Sequence, residues 1–487
     1  MAQSLKKNFV FNIINTVSTL LFPIITFPYA ARIIMPEGIG LVQFYNSIIS
    51  YIVLLSSLGI PMYGIREIAR VKDNIKDLSR TTIEIISLNL LLNVLAYVVI
   101  FILCLTVAKV QANIPLFLIL SLSIVLTTIG CPWFYTGVED FKYVTVLGLI
   151  VKILCAVFLF CFVKSEADLL IYGVYTVLGS IGNYLINFFH LRKYINIRAF
   201  SLKEINIWRH LKPALAIFVF NIITSIYINL DTVMLGFLKD SSAVGYYTGA
   251  TKISHILVTL VCSFGTVLLP RSSNLIKNNQ MDEFYRLSEK SYSLISLVSF
   301  PICAGAIVLA PAIINIFCGT SFAPSILTLR LISPIIIVLA MSNLIGIQML
   351  YPLGLIKLVN ISTCIGALTN FTLNLILIPI YSQFGAAIAT VVAETSVTAS
   401  QIVLAKKYIP FKLFSKQLIG YFVSSGIMAV VCFITMNMFS SDWVKIFVVP
   451  AVGIVIYLAL MLLQRDNLTR ETIQIIKTRF IKTSNNE

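Results

Sequence analysis

Fourteen apolar stretches, each long enough to cross a bilayer, follow one another along this chain with only short connections between them. A span needs about 20 mainly apolar residues to cross a hydrocarbon core of about 30 Å. Read between charges and turn residues, the stretches run 8–31, 39–64, 85–108, 114–138, 143–163, 169–189, 213–238, 243–269, 291–317, 325–350, 358–379, 385–405, 417–439 and 443–463. With 58% hydrophobic and 11% charged residues, against about 25% charged in an ordinary soluble domain, the chain cannot hide its apolar surface from water. The fold class expected is therefore an all-α integral membrane protein with about 14 transmembrane helices. The first stretch is too long for a cleaved signal sequence and is expected to stay as the first span.

A formal charge of +16 would suggest nucleic acid in a soluble protein, so the placement of the basic residues matters. Of the 36 Lys and Arg, 28 fall in the terminal segments and alternate connections of one side. The other side holds five, Arg32, Lys109, Lys164, Lys239 and Lys445, and three, Lys152, Lys252 and Arg330, fall inside spans. This bias sets the orientation by the positive-inside rule, with both termini cytoplasmic. Basic loops then reflect topology and contact with anionic membrane lipids, and no nucleic-acid partner is expected. The nine cysteines are scattered singly within or beside spans, as small apolar packing residues are, and no metal site is expected.

No connection exceeds about two dozen residues and no G-x-x-x-x-G-K-[ST] phosphate loop occurs, which excludes a pump with a fused ATPase motor. Outer loops are shorter still, which weighs against a membrane polymerase or ligase. The longest connections, 192–212 and 271–290, are cytoplasmic, and the second carries a short amphipathic run, Met281 to Ser288, suited to the membrane surface. Internal repetition is more informative. GLVQFYNSI from Gly40 is echoed by GYYTGATKI from Gly245, each with an Arg 26 positions on, Arg66 and Arg271. YGVYTV at Tyr172 is echoed by FGAAIATV at Phe384, and NII at Asn12 by NII at Asn221. Six spans separate the copies, an even number, so the halves share one orientation about an axis along the membrane normal. The expected organisation is a six-helix bundle with its cytoplasmic linker over 1–212 and a second, pseudo-symmetric six-helix bundle over 213–416, around a central cavity. Two additional spans over 417–464 and a basic cytoplasmic tail over 465–487 complete it.

An ionisable group at membrane depth costs at least about 2.5 kcal/mol on insertion scales, so it normally meets a partner or a watery cavity and marks function by default. Five stand out: Lys152, Lys252, Arg330, Asp231 and Glu394. Either they pair across helices as structural locks, or the cations line a cavity that receives an anion while the carboxylates handle a proton or Na⁺. Polar residues recur at helical spacing around them. Thr248, Lys252, His255, Thr259 and Thr266 share one face, as do Gln43, Asn46 and Ser50, and Asn8, Asn12, Asn15 and Thr19. Matching stripes in both halves, with Asn221 as the counterpart of Asn12, imply a shared hydrophilic cleft. Some of these residues could instead bond between helices, which the same spacing would produce. His255 suits packing as well as a proton relay, Arg330 lies near enough to the outer interface to snorkel, and Asp231 could neutralise Lys252. Pro23 and Pro28 predict a bend in the first span.

The runs FPYAARIIMPEGIGLVQFYNSI at Phe27, LGIPMYGIREIAR at Leu58, LDTVMLG at Leu230, VGYYTGATKIS at Val244, VLLPRSS at Val267 and GAAIATVVAE at Gly385 resemble the polysaccharide transporter family, Wzx-type flippases of polyprenyl-diphosphate-linked oligosaccharides for O-antigen or capsule assembly. The resemblance covers about 10–460. It implies membership of the multidrug/oligosaccharidyl-lipid/polysaccharide flippase superfamily, alternating access between inward-open and outward-open states, no enzyme activity, and the bacterial cytoplasmic membrane. The substrate it implies is the lipid-linked oligosaccharide, with the polysaccharide polymerase machinery as a partner it leaves open. On that carry-over Arg32, in a PY-x-x-R position, Lys152, Lys252 and Arg330 meet the anionic head group. Asp231 and Glu394 serve coupling to H⁺ or Na⁺, and Asn12, Asn15, Asn46, Asn221 and His255 line the cavity, with no other cofactor. The alternatives are a peptidoglycan-precursor flippase and a cation-coupled multidrug antiporter of the same superfamily. A non-transporting scaffold or enzyme would need neither paired halves nor a polar cleft.

Overall fold

A computed structural model describes the backbone of residues 5–409, 415–466 and 468–470. Among the described residues all regular structure is helical. In chain order the helices are α1 (Leu5–Ser57), α2 (Ile60–Val71), α3 (Ile75–Thr106), α4 (Ala108–Gln111), α5 (Ile114–Gly130), α6 (Pro132–Gly137), α7 (Phe141–Phe162), α8 (Leu169–Ile181) and α9 (Asn183–Leu191). After a linker come α10 (Leu211–Leu238), α11 (Ser241–Lys277), α12 (Met281–Phe317), α13 (Pro324–Ile332), α14 (Ile335–Asn343), α15 (Ile356–Tyr381), α16 (Gln383–Leu404), α17 (Lys416–Asn437) and α18 (Asp442–Leu463).

Ten of these stretches are long and apolar enough to cross a membrane, and twelve if each of two bent pairs is one span. The pairs are Glu166–Ile181 with Asn183–Leu191, bent by 47°, and Ser241–Ser263 with Leu268–Lys277, bent by 40°. Their outer faces carry apolar side chains that a soluble protein would bury. On α3, Val94, Leu95, Phe101 and Leu105 are all more than three-fifths exposed, and on α18 so are Phe447 and Val455. Such bands suit hydrocarbon, where each backbone polar group must also find its partner inside its own helix.

α1 is two limbs rather than one rod. Its helical path breaks at Met35, with φ 61° and ψ 169°, close to a region that glycine alone visits readily. Met35 precedes Pro36, whose ring disfavours α geometry in the residue before it. Pro23 and Pro28 lie within continuous helical backbone, so the bend expected there sits a full two turns later. α12, in contrast, is unbroken over 37 residues. The amphipathic run Met281 to Ser288, expected along the membrane surface, forms its first two turns instead, with Phe284 and Ser288 buried.

The chain divides into two compact units, 1–245 and 246–487. In the first, a core at one end gathers Ile60, Tyr63 and Ile68 of α2, Leu78, Ile85 and Leu88 of α3, Trp133, Phe134 and Tyr135 of α6, and Ala214 of α10. Such aromatic packing fixes the short helices α2 and α6, which are too brief to be stable alone. In the second, α17 and α18 pack on α12 through Tyr421, Met428, Cys432, Val449, Tyr457 and Met461 against Val308 and Leu309. The Tyr457 hydroxyl donates to the Leu297 carbonyl at 2.9 Å. That carbonyl would ordinarily accept from residue 301, which is Pro301 and has no N–H.

Candidate functional site

Lys152 is the twelfth of the 22 residues of α7, and therefore sits at mid-membrane. Its Nζ donates to Ser18 Oγ at 3.0 Å and Thr19 Oγ1 at 2.7 Å, both on the first limb of α1. Each hydroxyl in turn spends its single proton on the Asn15 carbonyl, at 2.8 Å. Oxygen lone pairs are thus aimed at the ammonium from one side, and two of its three N–H groups are used. No carboxylate among the described residues lies within 4 Å of this ammonium; its partners are neutral. Thr19 is exposed and Lys152 half-buried, so the cluster is not sealed within packed core. An ammonium pre-oriented by neutral oxygens keeps its full charge for an incoming anion.

The remaining predicted residues fall as follows. In the first unit, Arg32 is exposed near the outer end of the first limb of α1, its Nη1 donating to the Pro28 carbonyl at 2.8 Å. Asn15 is half-buried and supports the Lys152 cluster. Asn46 is half-buried on the second limb, its carbonyl accepting from Ser50 Oγ at 2.7 Å. Asp231, on α10, is buried. The side chains of Asn12 and Asn221 lie outside the described residues. In the second unit, Lys252 is half-buried on α11 and His255, three residues on, is exposed. Glu394 is half-buried at the middle of α16. Arg330, in the last turn of α13, donates from Nε to the Ile307 carbonyl of α12 at 3.2 Å. Ile307 lies four residues before Pro311, so this carbonyl too has lost its helical donor, and Arg330 replaces it.

The structure brings Lys152 and Asn15 together through hydroxyls on α1, one of which, Ser18, had no place in the sequence reading. Its only signal was position, one residue before Thr19 on a polar face. A second cluster was also missed, where the linker before α10 meets α3 in the first unit. Glu84 of α3 is completely buried, set in the otherwise apolar run Ile83 to Ile86. It accepts from Arg209 Nη2, from His210 Nε2 at 2.9 Å and from the Asn206 backbone N–H at 2.8 Å. His210 Nδ1 lies 2.7 Å from the Tyr63 hydroxyl. With the proton on Nε2, the ring donates to Glu84 and accepts from Tyr63; Arg209 Nε, 3.2 Å from the same Nε2, then has no acceptor there, while its Nη2 also donates to Thr81 Oγ1 at 3.2 Å. Burial lowers the His210 pKa below the usual imidazole value, and the bond to Glu84 only partly opposes this. A cavity of about 360 Å³ lined by Tyr63, Asp77, Arg80 and Arg209 opens beside it. This cluster clamps the linker onto α3 and sets the direction in which α10 enters the membrane.

The fold has known counterparts. An O-antigen transporter of Escherichia coli (strain K12) is 23% identical over 408 residues, 83% of this chain and 97% of that protein. A flippase of Haloferax volcanii, AglR, is 26% identical over 214 residues, 43% of this chain and 44% of that protein. Among solved structures, the lipid II flippase MurJ in an inward closed conformation superposes with a TM-score of 0.71 at 18% identity, covering 94% of this chain and all of that one. An inward-facing multidrug resistance transporter of the MATE family, in the MOP superfamily, superposes with a TM-score of 0.63 at 13% identity, covering 81% and 94%. At such identities the structural likeness establishes the fold. The family model for polysaccharide biosynthesis proteins matches residues 5–276, more than half of the sequence, and the chain belongs to that family.

Proposed function

We propose that this protein is a flippase that moves a polyprenyl-diphosphate-linked oligosaccharide, an O-antigen or capsule repeat unit, from the cytoplasmic to the outer leaflet by alternating access. The observation that carries the reading is the Lys152 ammonium, held at membrane depth by Ser18 and Thr19 with no carboxylate partner among the described residues. A diphosphate is costly to bring into hydrocarbon, and a fixed cation in a watery passage replaces the hydration it would lose. The near full-length similarity to an O-antigen transporter supports the same substrate class. The head group crosses in the passage while the polyprenyl tail stays in lipid.

Fourteen spans fit this role. The 44 residues Ile14–Ser57 rise about 66 Å at 1.5 Å per residue, twice a hydrocarbon core, and break at Met35, so α1 supplies two. Each bent pair supplies one, α10 another, and the remaining long helices one apiece. In this reading 1–212 and 213–416 are like-oriented six-helix bundles around the passage, 417–464 adds two spans, and both termini lie in the cytoplasm of a bacterial inner membrane. Arg32 and Lys252 extend the anion path, with Asn12, Asn46, Asn221 and His255 as its polar lining. Asp231 and Glu394 take a coupling H⁺ or Na⁺, and the polymerase is the partner that receives the product.

The test replaces Lys152 by Met in a strain whose own copy is deleted. Surface polymer is expected to fall at least tenfold at unchanged protein level in the membrane, while lipid-linked intermediate accumulates on the inner leaflet. Full polymer in that strain removes Lys152 from the mechanism. Restoration of a wall-precursor defect, rather than a polymer defect, by the native chain selects the peptidoglycan-precursor flippase.

A further inference from the structure

At the outer end of the first unit, α1 and the α10–α11 hairpin approach more closely than any side chain allows. A Cβ at Gly40 would lie 1.7 Å from the Ser241 carbonyl oxygen, and a Cβ at Gly245 would lie 1.9 Å from the Pro36 carbonyl oxygen. The arrangement is reciprocal. Ser241 is four residues before Gly245, and Pro36 is four residues before Gly40, so each glycine receives the carbonyl one turn ahead of the other. A two-fold contact has this form, and Gly40 and Gly245 open the two repeated sequence runs. Small residues at such a crossing let helix backbones meet without a hydrophobic driving force.

Beside the crossing, Lys109 of α4 reaches across to the end of α10. Its Nζ donates to the Gly236 carbonyl at 2.7 Å and also to the Lys239 carbonyl. Both carbonyls lie at the helix C-terminus, left without helical donors and at the negative end of the helix dipole. Lys109 is itself held from α1, because the Tyr45 hydroxyl donates to the Lys109 carbonyl at 2.8 Å. Tyr45 is fully buried and packs edge-on against Phe117 of α5, with ring centroids 5.2 Å apart. One chain of contacts thus runs from α5 through Tyr45 and Lys109 to the C-terminus of α10, next to the glycine crossing.

We propose that Lys109 is a positioning residue that clasps the outer end of α10 against α1 and so sets how often the outer face of the transporter opens. At the crossing each backbone carbonyl faces a glycine Cα, a contact worth less than an N–H···O bond, and such carbonyls separate easily once water enters. The ammonium supplies the directional bond. Breaking it exposes both carbonyls and the charge to water at the outer surface, so the open form is accessible rather than forbidden. This rests on alternating access and on the orientation proposed above, and adds the residue that biases it.

The experiment uses the Ser241→Cys variant, which sets a half-buried thiol at the crossing, and measures labelling of that thiol in intact cells by a membrane-impermeant maleimide, resolved from the native cysteines by peptide mass. In the Lys109→Met background the labelling rate is expected to rise about tenfold, the size of one lost charge-assisted hydrogen bond. Lys109→Arg, which can still reach both carbonyls, is expected to keep the native rate. Tyr45→Phe, which removes only the hydroxyl that anchors Lys109, is expected to give a smaller rise and serves if Lys109→Met does not accumulate. Equal labelling in native, Met and Phe backgrounds overturns the clasp, as does labelling of the introduced thiol only from the cytoplasmic side. Surface polymer in the same strains is scored separately. If the native chain fails to restore polymer while the labelling difference persists, the transport reading fails and the clasp stands.

Discussion

Two prolines of α12 each free a carbonyl that a side chain from another helix then takes up, and the pair of sites shows how a polar group at membrane depth can be structural. Pro301 and Pro311 leave the Leu297 and Ile307 carbonyls without donors, and Tyr457 and Arg330 supply them from α18 and α13. Leaving a buried acceptor unmade costs about 1–3 kcal/mol, so both donors hold helices to α12 before any other task. Tyr457→Phe and Arg330→Leu are each expected to lower the thermal midpoint of the purified protein in detergent, whereas Arg330→Lys, still able to donate, is expected to keep most of the stability. If Arg330→Leu leaves the midpoint unchanged and abolishes polymer, Arg330 belongs to the substrate path instead. The sequence marks Arg330 and Lys152 alike as charges within spans. What separates them lies 23 positions away for one and 133 and 134 for the other, at Ile307, Thr19 and Ser18, and no local pattern carries that information.

At the scale of elements, the linker before α10 and α10 itself depend on the His210 cluster, and the dependence has a sign. His210 is the residue before α10 begins, and its folded pKa lies below the usual imidazole value because of burial. The native state therefore binds this proton less readily than the unfolded chain. The stability it contributes is present above about pH 6.5, the unfolded value, and is lost as pH falls through the lowered folded pKa. One proton gives a slope of at most about 1.4 kcal/mol per pH unit. Thermal midpoints measured from pH 8 to pH 5 are expected to fall less steeply in His210→Gln, which cannot titrate, than in the native protein. Identical slopes would mean that His210 binds its proton equally well in the folded and the unfolded chain. Helices are where sequence was most readable, because an apolar run between charges leaves the backbone no other way to satisfy itself in lipid. Their breaks were less so. Pro23 and Pro28 stay within the helix while Met35, before Pro36, leaves it, and proline identity alone does not say which ring finds its freed carbonyl a new donor. Glu84 escaped notice for a related reason. A carboxylate among isoleucines at a span's edge looks like a boundary until the linker folds back to cover it.

For the whole molecule, the direction of transport follows from charge and membrane potential before any coupling ion is invoked. The cations cluster by side along the sequence, and in the orientation proposed above few basic residues stand on the outer face. On that proposal a bound diphosphate leaves a basic cytoplasmic surface, passes Lys152, and reaches an exit with little positive charge to retain it. Each negative charge that travels outward gains roughly 2.3 kcal/mol per 100 mV of an inside-negative potential, so a head group with two charges gains about 4.6 kcal/mol. That is about a 2,000-fold bias toward the outer leaflet at equilibrium. Collapsing the electrical potential with a potassium ionophore at constant pH difference is then expected to raise the inner-leaflet share of the lipid-linked intermediate at least tenfold, read by enzymatic or chemical labelling of right-side-out vesicles. Collapsing the pH difference alone is expected to change it much less if the head-group charge is the main driver. If only the pH difference matters, the carboxylates Asp231 and Glu394 carry the driving proton, and their neutralisation to Asn and Gln should uncouple transport while leaving substrate binding at Lys152 intact.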